Sequence, residues 1–388
     1  MPLESQDIIF FSDDRSGIPT SSMHLADQLA KKNRVFWLNT YMRLPGFSAD
    51  DLSKVVKVLR GRSGKPSDTP DAGTRTDEIR YFTPKIVPWF IPPVRKINGI
   101  LGKRFLNKLF HDYDIRSPVL ITTFPCTVDT FRAVRSETRL VYYCVDEWSE
   151  YPGLDQKRWG MMERELLELV DGAVFTSHDL MDRKQRRVKQ NLYLPHGVDF
   201  DHFSRVYAQG QPAKIDWLES LPKPVIGFFG TMDSWVDLAA IAALAKRFPE
   251  YSFVVIGGAR VSTEVLQGYS NIYLPGPVPY AKLPDYASCF DAGLIPFVLN
   301  DLTKAVNPLK LMEYFAIGVP VVSTKLPDIL NVPGPLYFAE THDEFGDQLE
   351  EIFRSDLPSL KQSAQDTAQK NSWASRADVL MRFIEALR

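Results

Sequence analysis

Cysteine is scarce in this chain: Cys126, Cys144 and Cys289 are the only three in 388 residues, odd in number and widely spaced. That pattern argues against a disulfide framework and for a reducing compartment. There is no Cys-x-x-Cys and no cluster of the six histidines, so a structural zinc site is not expected. The amino end, Met1 to Asp7, lacks both a basic start and an apolar core, so no signal peptide is expected. No apolar run approaches the length of a membrane span. An excess of either charge is also missing: 46 Lys/Arg against 48 Asp/Glu leaves −2, which gives no general pull towards nucleic acid. Gly-x-Gly-x-x-Gly does not occur, so a dinucleotide site of that type is unsupported. From these absences a cytoplasmic protein is expected.

What is present suits two α/β domains. The length allows two substantial cores, and 44% apolar and 24% charged residues are ordinary for a globular chain. Residues 1–200 hold 30 Lys/Arg and 26 Asp/Glu, about +4; the remainder holds 16 and 22, about −6. The first half opens with an apolar strand at Ile8–Phe11, a loop through Asp13, Asp14 and Gly17, a helix from about Ser21 to Lys32, and a strand at Val35–Leu38. Strand, loop, helix, strand begins a parallel α/β unit, and its loop lies at the carboxyl edge where such sheets bind ligands. Asp13 and Asp14 either cap that turn or face an acceptor. Further strands read at Val119–Thr123, Leu140–Val145 and Ala173–Ser177; the second of these delivers Asp146-Glu147-Trp148 to the same edge. The pattern restarts at Pro224–Gly230, followed by a helix near Val236–Phe248 and strands at Ser252–Ile256, Asn271–Leu274 and Asp291–Pro296.

Two segments of the first half stand apart. Gly61 to Thr76 is rich in small and polar residues and reads as a surface loop. Tyr81 to His111 carries six Lys/Arg and no acid, interleaved with apolar and aromatic residues. From Val94 a helix would align Ile97, Leu101, Phe105 and Leu109. Trp89, Phe90, Lys103, Arg104 and Lys108 would then be candidates for contact with an anionic membrane. The other reading is an ordinary helix packed on the first domain's sheet.

The densest pattern is Asn307 to Ser323, Asn-Pro-Leu-Lys-Leu-Met-Glu-Tyr-Phe-Ala-Ile-Gly-Val-Pro-Val-Val-Ser. Pro308 suits a first helical turn, Leu309, Met312 and Ala316 form an apolar stripe, and Gly318 ends the helix before a buried strand. The free N–H groups of the helix start favour a phosphate, and Lys310 adds a cation for a diphosphate. Glu313, three residues on, can accept from two vicinal hydroxyls. Phosphate and diol together suggest a nucleotide sugar; the competing reading is a solvated Lys–Glu pair.

This stretch resembles the donor-binding signature of GT-B glycosyltransferases of bacterial surface and exopolysaccharide synthesis, of the family-4 type or the xanthan-type glucuronosyltransferases. Leu194-Pro-His-Gly-Val-Asp199 is similar to the turn closing the first domain in that family. The resemblance implies an α/β protein of two Rossmann-like domains facing across a cleft. The acceptor-binding domain would be residues 1–203, with a carboxy-terminal helix 373–388 packing back on it, and the donor-binding domain 204–372. It implies a nucleotide-sugar donor, UDP-linked, held by Gly230, Thr231, Tyr280, Asn307, Lys310 and Glu313, and no metal or other cofactor. It further implies a lipid-linked or glycan acceptor at the inner membrane face, on the side of Asp13, Asp14 and Glu147, with Asp146 as general base. Many retaining members carry a Glu eight residues before the second; Ala305 stands there, and no Arg/Lys pair follows Gly230, which leans towards inversion. A nucleotide-sugar 2-epimerase and a non-catalytic nucleotide-sugar-binding protein are the alternatives.

Overall fold

The computed structural model describes residues 6–15, 19–40, 79–87, 89–134, 138–151, 153–208 and 215–387. The loop expected at Gly61–Thr76 therefore lies outside the described residues. The chain divides into two compact units, residues 1–195 with 376–388, and residues 196–375. The division comes shortly before the boundary expected at 203, and the return into the first unit falls within the last helix, at Arg376.

The first unit is a parallel sheet in the order β3-β2-β1-β4-β5-β6-β7. Its strands are β1 (Asp7–Ser12), β2 (Arg34–Asn39), β3 (Ile79–Phe82), β4 (Val119–Thr122), β5 (Arg139–Cys144), β6 (Gly172–Phe175) and β7 (Gln190–Tyr193). The helices are α1 (Ser21–Ala30), α2 (Pro92–Asp112), α3 (Val128–Val134), α4 (Gln156–Leu169) and α5 (His178–Lys184). Central strands such as Ile8–Phe11 and Val119–Thr122 are apolar runs buried throughout, as a sheet covered on both faces requires. Edge strands β3 and β7 carry no such run, because one side of an edge strand meets solvent.

Helix α2 is built into this unit. Arg95 clamps Asp129 of α3 at 2.8 Å and Glu165 of α4 at 2.6 Å, and Asn98 closes a pair of 2.8 Å bonds with the Val87 backbone. Its packed face is Asn98, Gly99, Gly102, Leu106 and Leu109; of the stripe expected on Ile97, Leu101, Phe105 and Leu109 only Leu109 is buried, the rest of the face lying one residue round. Apolar residues surround this helix, so the small and hydrogen-bonding residues that permit close approach decide which side goes in. Phe90 also requires correction: it is 2% exposed and meets Trp159 edge-on at 6.3 Å, a core residue rather than a membrane contact.

The second unit is a parallel sheet in the order β10-β9-β8-β11-β12-β13. Its strands are β8 (Val225–Phe229), β9 (Ser252–Ile256), β10 (Ile272–Gly276), β11 (Ala292–Ile295), β12 (Val321–Thr324) and β13 (Leu336–Ala339). Helices α6 (Phe200–Ala208), α7 (Asp216–Glu219), α8 (Leu238–Arg247), α9 (Leu283–Ala287), α10 (Asp301–Lys304), α11 (Leu309–Ile317), α12 (His342–Arg354) and α13 (Leu357–Lys370) follow in chain order. The last helix, α14 (Trp373–Ala386), begins here and supplies Ala377, Leu380, Met381 and Ile384 to the core of the first unit. In both sheets the strand order reverses beside the first strand, between β1 and β4 and between β8 and β11. Such a switch point leaves a crevice outside the strands' carboxyl ends.

Candidate functional site

In the second unit, α11 starts at Leu309 after Pro308 and ends at Gly318, whose φ of +78° is the left-handed conformation that closes helices. Its packed face is Leu311, Tyr314, Phe315 and Ala316, whereas Leu309 and Met312 of the expected stripe are only partly buried. The helix is apolar on most sides, and Tyr314 settles its rotation. The Tyr314 hydroxyl accepts from the Phe229 N–H at 3.2 Å and donates to the Gly227 carbonyl at 3.1 Å, tying α11 to β8.

This anchoring sets Lys310 over the turn that follows β8. The Lys310 ammonium lies 4.8 Å from the ring centres of both Phe228 and Phe297. A Cβ on Gly230 would stand 2.9 Å from that nitrogen, on a backbone whose φ of +135° excludes most side chains. Burial pushes the Lys310 amine down to about 8, with Glu313 opposing. Burial pushes Glu313 up to about 7, opposed by Lys310 and reinforced by Asp199. The solvated-pair reading of these two residues is corrected, since both are partly buried and electrostatically coupled. Tyr280 stacks on His202 at 4.6 Å, and the His202 Nε2 lies 3.1 Å from the Tyr280 carbonyl oxygen. Burial, then the charges of Glu313 and Asp199, hold the Tyr280 hydroxyl well above its usual range. The group thus has a cationic end at Lys310 and Gly230, and an end of acids and hydroxyl at Glu313, Asp199 and Tyr280. Thr231, next to Gly230, is half-buried.

Asn307 is held by contacts within the second unit. Its Oδ1 accepts from the His196 N–H at 3.2 Å and its Nδ2 donates to Asp328, so both ends of the amide are engaged. Ala305 is buried, 1% exposed.

In the first unit, Asp13 follows β1 and Asp146 follows β5, both at the carboxyl edge. The Trp37 indole donates to the Asp13 carbonyl at 2.8 Å, and Arg15, paired with Asp27 at 2.6 Å, stacks on the Trp37 ring at 4.9 Å. Burial raises Asp13 to about 6, helped by Asp14. Burial raises Asp146 to about 7; Asp13 adds to the shift, Lys184 opposes it, and Glu147 adds again. Asp14 is exposed. Glu147 is corrected as an acceptor-side candidate: it is 4% exposed, its Oε1 accepts from Ser149 at 2.7 Å, and its Oε2 lies 3.2 Å from the Lys184 ammonium. Its burial turns this carboxylate inward, away from an incoming hydroxyl. Lys184 and its other partner, Glu163, carry no mark in the sequence, because Lys184 lies in a basic run that reads as a solvated face.

Among the described residues, no group of three or more His, Cys, Asp or Glu is placed to hold a metal ion, and no helix is long and apolar enough to cross a membrane. The sequence contains two Asp-x-Asp tripeptides. Asp112 pairs with Lys108 at 2.7 Å, Asp114 with Arg116 at 3.1 Å, and Asp199 accepts from the His202 N–H at 3.2 Å.

Residues 223–355 match the family described as "Glycosyl transferases group 1". A Bacillus subtilis (strain 168) protein, provisionally named teichuronic acid biosynthesis glycosyltransferase TuaH, is 26% identical over 216 residues. That match covers 52% of this chain and 54% of the relative, so the chain spans about half the length of the curated relative it matches. Sucrose-phosphate synthase of Thermosynechococcus elongatus superposes with a TM-score of 0.70 at 14% identity, covering 98% of this chain and 99% of that one. Anabaena Alr3699/HepE in complex with UDP and glucose gives 0.63 at 14% identity, covering 98% and 99%. An E. coli trehalose-6-phosphate protein bound with UDP-2-fluoro glucose gives 0.67 at 13% identity, covering 99% and 100%. The chain has the GT-B fold, and residues 223–355, about a third of it, match the glycosyl transferases group 1 family.

Proposed function

We propose that this chain transfers a sugar from a UDP-linked donor to a hydroxyl of a lipid-linked or glycan acceptor of cell-surface polysaccharide synthesis, at the cytoplasmic membrane face. The observation that carries the reading is Lys310 reaching over Gly230, with Glu313 beside it, at the switch point of the second sheet. A diphosphate is matched by the ammonium, the bare Gly230 turn and the start of α11, so its charge is met without a metal. Glu313 receives the ribose hydroxyls, and backbone around Tyr280 lies towards the base. The named nucleotides of HepE and of the E. coli protein support a UDP donor, and the teichuronic acid relative supports a surface glycan.

In the same reading Asp146 removes the acceptor proton as the hydroxyl attacks. A general base works best when its pKa lies near the operating pH, and burial has raised Asp146 towards 7. Inversion follows from a protein base on the acceptor and a methyl at Ala305. Membrane contact rests on the outer face of α2, where Ile97 and Ile100 are 45% and 54% exposed beside Lys96, Arg104 and Lys108.

The test is calorimetry with UDP, GDP and ADP, followed by anomeric analysis of the product by NMR. UDP should bind best. Asp146→Asn should keep UDP affinity while losing about 10²–10⁴-fold in turnover, the usual contribution of a general base. Equal affinity for all three nucleotides would remove the UDP assignment, and retained anomeric configuration would remove inversion.

A further inference from the structure

Beneath the Asp146 loop lies a charge cluster that the transfer reaction as described does not use. Lys184 closes α5 with its side chain 7% exposed. Its ammonium donates to Glu163 Oε1 of α4 at 2.7 Å, lies 3.2 Å from Glu147 Oε2, and lies 3.7 Å from the Cys144 sulfur at the end of β5. Glu163 Oε1 also accepts from the Tyr142 hydroxyl at 2.6 Å, and the Cys144 thiol lies 3.7 Å from the Asp146 carbonyl oxygen. Four features of the chain, namely the end of β5, the Asp146-Glu147 turn, α4 and α5, therefore converge on one nitrogen.

A buried lysine is costly unless its partners repay the desolvation, and one lysine between two carboxylates leaves a net negative charge in a dry site. A well-packed apolar side chain would serve stability as well or better. The arrangement makes sense if the charge acts on something nearby, and the loop it holds presents Asp146.

We propose that Lys184 is a positioning residue for Asp146, its buried ammonium tying down the strand-end turn that presents that carboxylate and supplying the positive charge beside it. This rests on the reading of Asp146 as the base. The charged and titratable groups bearing on Asp146 are Asp13 from the β1 loop, Lys184 from α5 and Glu147 from its own turn. Those bearing on Lys184 are Cys144, Glu163 and Glu147, with Arg183 lying 4.0 Å from Glu147 on the outer side. Lys184 favours the carboxylate form of Asp146, while Glu147 and Asp13 favour the acid.

Opposite signs give the test. Lys184→Met keeps the volume and removes the cation, so the acidic limb of the kcat/KM profile should move to higher pH. Glu147→Gln keeps the shape and removes the anion, so the same limb should move to lower pH. Each shift should be about half a pH unit or more, the scale of a nearby charge in a dry site. Packing damage alone would lower activity in both variants without moving their limbs in opposite directions. If Lys184→Met does not fold, Glu147→Gln still decides by the sign of its shift. Unmoved limbs in the folded variants, or limbs moving the same way, would overturn the proposal. Asp146→Asn run alongside separates the two levels: wild-type turnover there removes the base reading itself.

Discussion

Lys310 offers the sharpest quantitative test, because its nitrogen is held between two aromatic rings over Gly230. Lys310→Met leaves the apolar stem in that slot and removes only the cation. Loss of charge-assisted bonds to a diphosphate is worth about 1.5–3 kcal/mol, or roughly 10- to 150-fold in Kd for UDP. Burial adds a pH signature. With the free amine depressed to about 8, the ammonium that binds phosphate is fully present below that value and lost above it. Binding above pH 8 must then recruit a proton, at a cost of up to about tenfold in Kd per pH unit. Calorimetry from pH 6.5 to 9.5 on both proteins measures this. The ratio of variant to wild-type Kd cancels the ligand's own titration. It should be largest at low pH and fall towards one at high pH, with proton uptake near pH 8.5 only in the wild type. A ratio near one at pH 6.5, or one constant across the range, would refute the placement of Lys310 on the diphosphate.

Gly230→Ala puts a methyl at a backbone φ of +135° and against the Lys310 ammonium, so it should lower Tm and weaken UDP at least about tenfold; unchanged binding by calorimetry would contradict the close approach. Asp146→Asn should raise Tm at pH 8 and leave it unchanged near pH 4. A carboxyl whose folded pKa is raised from 3.8 to about 7 contributes most below its unfolded value, and that contribution is lost as pH rises through 7. Differential scanning at the two pH values checks the sign. Reversal of Lys96, Arg104 and Lys108 should release the protein from anionic vesicles in co-sedimentation, at about 1 kcal/mol per charge. Ile97→Ser with Ile100→Ser should weaken the same binding with little change in Tm, since both side chains face solvent. Absence of wild-type binding at low salt would end the membrane reading.

The sequence by itself determined the central strands and the helix bracketed by Pro308 and Gly318. Ile8–Phe11, Val119–Thr122 and Val225–Phe229 are apolar runs that can be satisfied only between two helical layers. Pro308 and Gly318 bracket α11 through local backbone chemistry. Edge strands β3 and β7 were not legible, because solvent on one side removes the demand for an apolar run; β13 went unread although Leu336–Ala339 is apolar. The rotations of α2 and α11 were not legible either. Both helices carry apolar residues on most faces, and long-range partners choose among them: Asn98 with Val87, and Tyr314 with the backbone of β8. At the site, the spacing of Lys310 and Glu313 left a solvated pair open, and the resemblance was needed to choose a donor reading. Tertiary structure decided that Asn307 bridges His196 and Asp328, that Phe90 is core, and that Glu147 turns inward to Lys184. Those outcomes depend on residues 21 to 111 positions away for Asn307, and 37 away for Glu147, and no local pattern encodes contacts at that separation.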